Sequence, residues 1–211
     1  MKVFFEKIKK YRSNKGMTYV ELIVVLSIFS LFSGVAIFNY KGFQGKVDIK
    51  NLANEMTLQI VEAQKSALNG KLPPPSQQPT DPINWKPSYG IYFDKNTNNK
   101  IFYYFVDLNQ NMELSVPFNN CPGFECLDKI NITRGNYISD INSCVGISCG
   151  TSTSIDGPLS ITFTRPNSGA VFFTNQIITP DYIRITLSSP NSISTYIKIF
   201  PSGRVELSDD E

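Results

Sequence analysis

The feature that most constrains this 211-residue chain is an apolar run close to its N-terminus. No charged side chain occurs from Leu22 to Phe38, and one carboxylate, Glu21, directly precedes the run. As an α-helix, the run would extend about 26 Å, close to the ~30 Å hydrocarbon core of a bilayer once flanking residues are added. A carboxylate beside such a segment is costly in lipid, so we expect Glu21 to have a partner and a function.

The residues before this run form a second pattern. A basic leader ends in Lys15-Gly16, and Met17-Thr18-Tyr19-Val20-Glu21 then opens the apolar helix. Together these features resemble the class III signal of type IV pilins and pseudopilins, although the family usually has Phe in place of Met17 and often Pro in place of Phe38. The resemblance implies that a prepilin peptidase cleaves between Gly16 and Met17, that Met17 is then N-methylated, and that Glu21 guides assembly.

The resemblance also implies a function. The chain would be a structural subunit of a type IV pilus, a type II secretion pseudopilus or a competence pseudopilus. Its partners would be the prepilin peptidase and methyltransferase, other pilin or pseudopilin subunits and the cytoplasmic membrane. It would be a single-pass membrane precursor with its β-domain outside the cytoplasm, and later part of an extracytoplasmic filament.

Other interpretations of the N-terminus remain open. One is an ordinary signal peptide with an apolar region at Leu22–Phe32 and a cleavage site at Gly34-Val35-Ala36. Another is a single-pass anchor that carries a β-domain and never polymerises. A third is a minor pilin at a filament tip whose β-domain binds a ligand or mediates adhesion.

The charge balance excludes one class of partner. The whole chain has a net charge of +2, but the leader alone carries +5, so the chain after the expected cleavage carries about −3. A protein that binds nucleic acid by neutralising phosphates is usually basic, so we expect no nucleic-acid partner.

The chain divides into five predicted segments. They are a leader (1–16), an apolar transmembrane or assembly helix (17–40), an amphipathic helix (41–70), a Pro-rich loop (71–88) and a β-rich domain (89–211). Gly42 and Gly45 predict a flexible or partly unwound joint between the helices. In the second helix, apolar residues recur at helical spacing and predict a buried stripe: Ile49, Leu52, Ala53, Met56, Ile60, Ala63 and Ala67.

The last segment consists of short apolar runs separated by turn residues, which predicts strands. The predicted strands are Tyr89–Phe93, Lys100–Asp107, Met112–Val116, Lys129–Thr133, Tyr137–Ile141, Leu159–Thr164, Ala170–Thr174, Tyr182–Ser188, Ile193–Phe200 and Arg204–Leu207. The predicted fold class is α+β, in which a long N-terminal helix, half membrane and half amphipathic, packs on an antiparallel β-sheet or sandwich. Three stretches are similar to the sheet of H-type minor pseudopilins of type II secretion: Tyr89-Gly90-Ile91-Tyr92-Phe93, Phe105-Val106-Asp107-Leu108-Asn109 and Phe200-Pro201-Ser202-Gly203-Arg204-Val205.

Two clusters in the β-rich segment are candidate sites. The four cysteines, Cys121, Cys126, Cys144 and Cys149, predict disulfides in an exported domain. Three pairings are open, of which two local bridges are favoured, and a four-thiolate zinc site is the alternative. The oxygen-bearing side chains of Asp107, Asn109, Asn111 and Glu113 alternate as in calcium loops, but they lack the central Gly of an EF-hand, so a hydrogen-bonded turn is the competing interpretation.

Catalysis has little support in the sequence. The chain contains no histidine, which removes the commonest general base and the usual nucleophilic triads. Phosphate-binding and nucleophile-elbow motifs are also absent from the sequence. We therefore expect a protein that is not an enzyme and that needs no cofactor.

Overall fold

The computed structural model describes residues 16–78, 84–115 and 121–209, without the side chains of residues 36–41 and 209. The helices in this part of the chain are α1 (Tyr19–Leu68) and the short α2 (Lys95–Asn98), with a 3-10 turn at Pro75–Gln77. The strands are β1 (Ser88–Asp94), β2 (Ile101–Val106), β3 (Cys126–Asn131), β4 (Tyr137–Val145), β5 (Thr151–Ser154), β6 (Pro158–Thr164), β7 (Ala170–Thr174), β8 (Tyr182–Ser188), β9 (Ser194–Ile199) and β10 (Val205–Asp209).

The strands form two antiparallel sheets of five strands each. Sheet 1 has the order β3-β2-β1-β6-β7, and sheet 2 has the order β10-β9-β8-β4-β5. Strands β8 and β9 alternate between buried and half-buried residues, the pattern expected when one face of a sheet covers a core. The central strand β1 is instead buried at all positions before Asp94, because both faces of sheet 1 are covered at that point.

The predicted apolar stripe is confirmed. All seven of its side chains, from Ile49 to Ala67, are buried together with apolar residues of both sheets. Two tyrosines add polar links at the end of the helix. The Tyr104 hydroxyl lies 3.0 Å from Ser66 Oγ, and the Tyr89 hydroxyl donates a 2.6 Å hydrogen bond to the Lys71 carbonyl. The second half of α1 is therefore part of the main core.

The predicted unwinding at the joint between two helices is wrong. Helix α1 continues through Gly42 and Gly45 without a break, because two glycines cost only about 1 kcal/mol each and leave the backbone hydrogen bonds intact. Gly45 also has a packing reason, since a Cβ there would lie 3.1 Å from the Asn191 amide nitrogen. The chain nevertheless forms two compact units, Met1–Gly42 and Phe43–Glu211.

The predicted fold class is contradicted. The described chain is dominated by two five-stranded sheets, and none of its described helices is long and apolar enough to cross a membrane. The membrane half of the predicted helix is therefore not supported by the part of the chain that the structure describes. The predicted localisation, a single-pass precursor in the cytoplasmic membrane, is contradicted by the same finding.

Three local predictions are also wrong. Residues 112–115 of the predicted strand Met112–Val116 form a bent loop, whereas β5, whose sequence Thr-Ser-Thr-Ser carries no apolar signal, is a strand. The turn predicted after β1 is the helix α2, because the carboxylate of Asp94 accepts hydrogen bonds from the backbone N–H groups of Asn96 and Thr97. Such a cap satisfies donors that the first helical turn leaves unpaired.

Candidate functional site

The first unit presents an apolar helix whose large side chains are exposed. We call residues Met17–Val35 the exposed apolar segment. Five consecutive residues, Leu22 to Leu26, are each 45–58% exposed. Because successive helical residues point about 100° apart, five in a row sample every direction around the axis. Apolar side chains are therefore exposed in every direction around this helix, although a helix that is apolar all round is normally buried.

The beginning of this helix is built by Thr18 and Glu21. The Thr18 hydroxyl accepts a 3.3 Å hydrogen bond from the Glu21 N–H, and the Thr18 carbonyl accepts one from Leu22 N–H. Thr18 is thus the N-cap, with the acid three residues later that characterises a capping box. Glu21 lies in the first helical turn, where its negative charge is favourable beside the positive end of the helix dipole.

The predicted processing and assembly residues lie together at this helix end. Gly16 and Met17 directly precede the N-cap, and Met17 and Glu21 are both exposed. A Cβ at Gly16 would meet no atom within 4 Å, so the backbone on either side of the expected cleavage point is open. Residues 1–15 of the predicted leader lie outside the described residues.

No family model, curated protein or solved structure matches this chain. The resemblance to pilins therefore rests on the residues of the N-terminal pattern, and the assignment to the H-type subfamily stays a prediction.

The favoured cysteine pairing is confirmed. Disulfides join Cys121 to Cys126 and Cys144 to Cys149, and no described cysteine is free for a zinc site. The first bridge closes the loop that leads into β3, and the second closes the turn between β4 and β5. Both are local links at the ends of strands, and neither joins one sheet to the other.

The residues considered for calcium form a hydrogen-bonded loop. The two carboxylate oxygens of Asp107 accept hydrogen bonds from the backbone N–H groups of Asn111 and Met112. Asn109 Oδ1 accepts from Asn111 N–H, and Asn111 Oδ1 accepts from Glu113 N–H, as in successive Asx turns. Among the described residues, no three acidic or cysteine side chains are grouped as a metal site would require.

This loop depends on a residue that the sequence analysis missed. Glu125 is fully buried, and its carboxylate accepts hydrogen bonds from the N–H groups of Leu108, Asn109 and Ser115 at 2.8–3.4 Å. Glu125 lies between the exposed Phe124 and a cysteine, so neither periodicity nor spacing indicated its burial. One side chain therefore holds both ends of the loop.

Asp107 lies beside it in the same buried region. Burial raises the pKa of Asp107 and the charge of Glu125 raises it further, while N–H donors from Met112 and Asn111 act in the opposite direction. A carboxyl whose folded-state pKa is raised binds its proton more tightly in the folded than in the unfolded protein. Asp107 therefore favours folding most at low pH, and this contribution is lost as the pH rises from about 4 through its folded-state pKa.

Proposed function

We propose that this chain is a structural subunit of a type IV pilin-like or type II secretion filament, cleaved after Gly16 by a prepilin peptidase, methylated at Met17 and assembled through its N-terminal helix. The observation that carries the proposal is the exposed apolar segment, whose large apolar side chains are each at least 45% exposed. The occupant that fits it is the same segment of other subunits.

The energetics of burial support such an assembly. The large apolar side chains of the segment are Met17, Tyr19, Val20, Leu22, Ile23, Val24, Val25, Leu26, Ile28, Phe29, Leu31, Phe32 and Val35, each 45–78% exposed. Burying the part of these side chains that is still exposed would contribute about 1 kcal/mol per side chain to the free energy of assembly, on the order of 10 kcal/mol together. Exposed apolar surface of this extent is typical of an interaction site.

Glu21 would supply the register of the assembly. Its carboxylate is the only charge between Lys15 and Lys41, so packing the helices together would remove it from water and require a positive partner. The freed amino group of Met17, in the same or in a neighbouring subunit, is the cation that cleavage after Gly16 would create. Pairing between subunits would favour one axial offset of neighbouring helices over others.

A charge placed within the segment tests the assembly surface. Phe29→Asp should abolish filament formation, because a carboxylate on a helix buried among apolar helices would have no partner. The matched control is Leu58→Asp, because Leu58 is an equally exposed apolar residue on the same helix in the second unit. Assembly is measured by sedimentation and electron microscopy of purified chains, with circular dichroism as the check on folding.

Comparing the two variants shows whether the exposed apolar segment is the assembly surface. Filaments formed by Leu58→Asp but not by Phe29→Asp support assembly through the segment. Filaments of Phe29→Asp at wild-type abundance would overturn it, and equal loss in both variants would show that the surface lies elsewhere on the helix.

Glu21→Ala tests the second element of the proposal. We expect cleavage after Gly16 to be unchanged but incorporation into filaments to fall at least tenfold, because an uncompensated amino group would remain at the apolar contact. Glu55→Ala, an exposed acid on the same helix, is the control. Mass spectrometry of the N-terminus and the filament fraction are the readouts. An N-terminus at Ile37 would contradict the processing site, and normal incorporation would show that Glu21 does not guide assembly.

A further inference from the structure

Strand β7 is an edge strand of sheet 1 with an open hydrogen-bonding side. It pairs with β6 on one side and has no strand neighbour on the other. At its start, the Ala170 N–H donates to the Pro201 carbonyl, so that position of the edge is occupied. Beyond Ala170 the edge is flanked by no described strand.

The direction of each backbone group follows from the ladder. Since Ala170 N–H points away from β6, alternation along an antiparallel strand directs the N–H and C=O groups of Phe172 and Thr174 away from β6 as well. The hydrogen bonds in the rest of sheet 1 give the same alternation. The Ser88 carbonyl accepts from Asp107 N–H on the side of β1 that faces away from β6, and the registers of β1 with β6 and of β6 with β7 carry this alternation to β7. Within the described chain, neither Phe172 N–H nor Thr174 N–H has an acceptor.

The side chains of β7 also distinguish it from the other edges. Natural edge strands usually carry charges that prevent pairing with another chain. Edge strand β3 contains Asp128 and Lys129, and edge strand β10 contains Glu206. Strand β7, Ala-Val-Phe-Phe-Thr, has no charge, and Val171 and Phe173 are 40% and 37% exposed on one face. The fourth edge, β5, is also uncharged but bears only hydroxyl side chains.

We propose that β7 binds β7 of a second copy of this chain, antiparallel, with Phe173 of one copy directly opposite Phe173 of the other. In this register Phe172 of each copy pairs with Thr174 of its neighbour, so the free N–H and C=O groups are satisfied in both strands. The contact avoids Ala170, whose edge position is already used. It also joins sheet 1 of the two copies into one sheet.

The second copy is the occupant that the sequence of β7 fits. Two-fold pairing brings Val171 and Phe173 of one strand against Asn175 and Phe173 of the other, with no like charges in contact. The two phenylalanines occupy a non-hydrogen-bonded site, where opposed side chains approach most closely and aromatic pairs stabilise sheets. Because a two-fold contact closes on itself, it is separate from the helix contact proposed above and goes beyond it.

A cysteine at the two-fold axis tests this register. In Phe173→Cys, the two new thiols would have Cα atoms about 4.5 Å apart, within the range a disulfide spans. Ile177→Cys is the control, because Ile177 is fully exposed and close in sequence but would be roughly 27 Å from its counterpart along extended strands. We expect Phe173→Cys to form disulfide-linked dimers at least roughly tenfold faster than Ile177→Cys.

Two further measurements test the strand register and separate this contact from helix assembly. Mixing Val171→Cys with Asn175→Cys should give the mixed dimer and little of either homodimer, because only the mixed pair is opposed in this register. The Phe173→Cys dimer should also persist when Phe29→Asp is added, which separates this contact from helix assembly. Equal rates for Phe173→Cys and Ile177→Cys, or homodimers of Val171→Cys in place of the mixed dimer, would overturn the proposal.

Discussion

Gly90→Ala should lower the free energy of unfolding by about 3 kcal/mol, at the upper end of what an added methyl group costs in a packed core. Gly90 lies in the middle of β1, opposite Phe105 of β2. A Cβ there would lie 2.6 Å from the Ile161 carbonyl oxygen and 2.7 Å from the Phe105 ring. The carbonyl belongs to the neighbouring strand β6, so it cannot retreat without disturbing the ladder.

The matched control for this prediction is Gly150→Ala. A Cβ at Gly150 would meet no atom within 4 Å, so the change in stability should stay within about 0.5 kcal/mol. Denaturant unfolding of the oxidised protein measures both. Adding Phe105→Leu to Gly90→Ala should restore only part of the loss, because the ring contact is relieved while the carbonyl contact remains. Equal stability of the two glycine variants would contradict this account of sheet 1.

Glu125→Ala should cost a similar amount, about 3 kcal/mol, through a different mechanism. Its carboxylate serves three backbone N–H groups, and a buried donor left without an acceptor costs about 1–3 kcal/mol. The total cost is smaller than three such penalties added together, because the loop can open and let water reach the unpaired N–H groups. The loss of stability in Glu125→Gln should be smaller than that in Glu125→Ala, because an amide keeps one acceptor oxygen but presents a donor in place of the other.

Hydrogen exchange gives the sharper readout for Glu125. The amides of Leu108, Asn109 and Ser115 should lose protection in Glu125→Ala, while amides in the middle of β8 should change only with global stability. Glu55→Ala, an exposed acid on α1, should leave both groups unchanged. Retained protection at the three loop amides would show that the loop is held by other contacts.

The amphipathic half of α1 was predictable because its information is local. Seven apolar residues at three-and-four spacing indicate a buried face, and every one of them is buried. The strands with alternating or continuous apolar residues, such as β8 and β1, were predictable for the same reason. The start of the helix was predicted from the pattern Met17 to Glu21, and the structure adds that Thr18 is its N-cap.

The arrangement of the strands was not predictable, because it depends on contacts distant in the sequence. Strand β1 pairs with β6, more than sixty residues further along the chain, and the sequence of neither strand indicates which strand is its partner. The burial of Glu125 arises in the same way, since its partners lie 10–17 residues earlier. The membrane prediction rested on the apolar run, its lack of charge and its length with flanking residues added, but none of the described helices is long and apolar enough to cross a membrane.

The placement of the two disulfides has a mechanical consequence. Each joins cysteines only five positions apart, so each shortens the fully stretched chain by about 12 Å, the difference between five extended residues and the bridge itself. Under tension applied at its ends, the oxidised second unit could therefore extend to almost its complete contour length. The bridges stiffen two turns, but the resistance of the unit to extension must come from its strand ladders and its core.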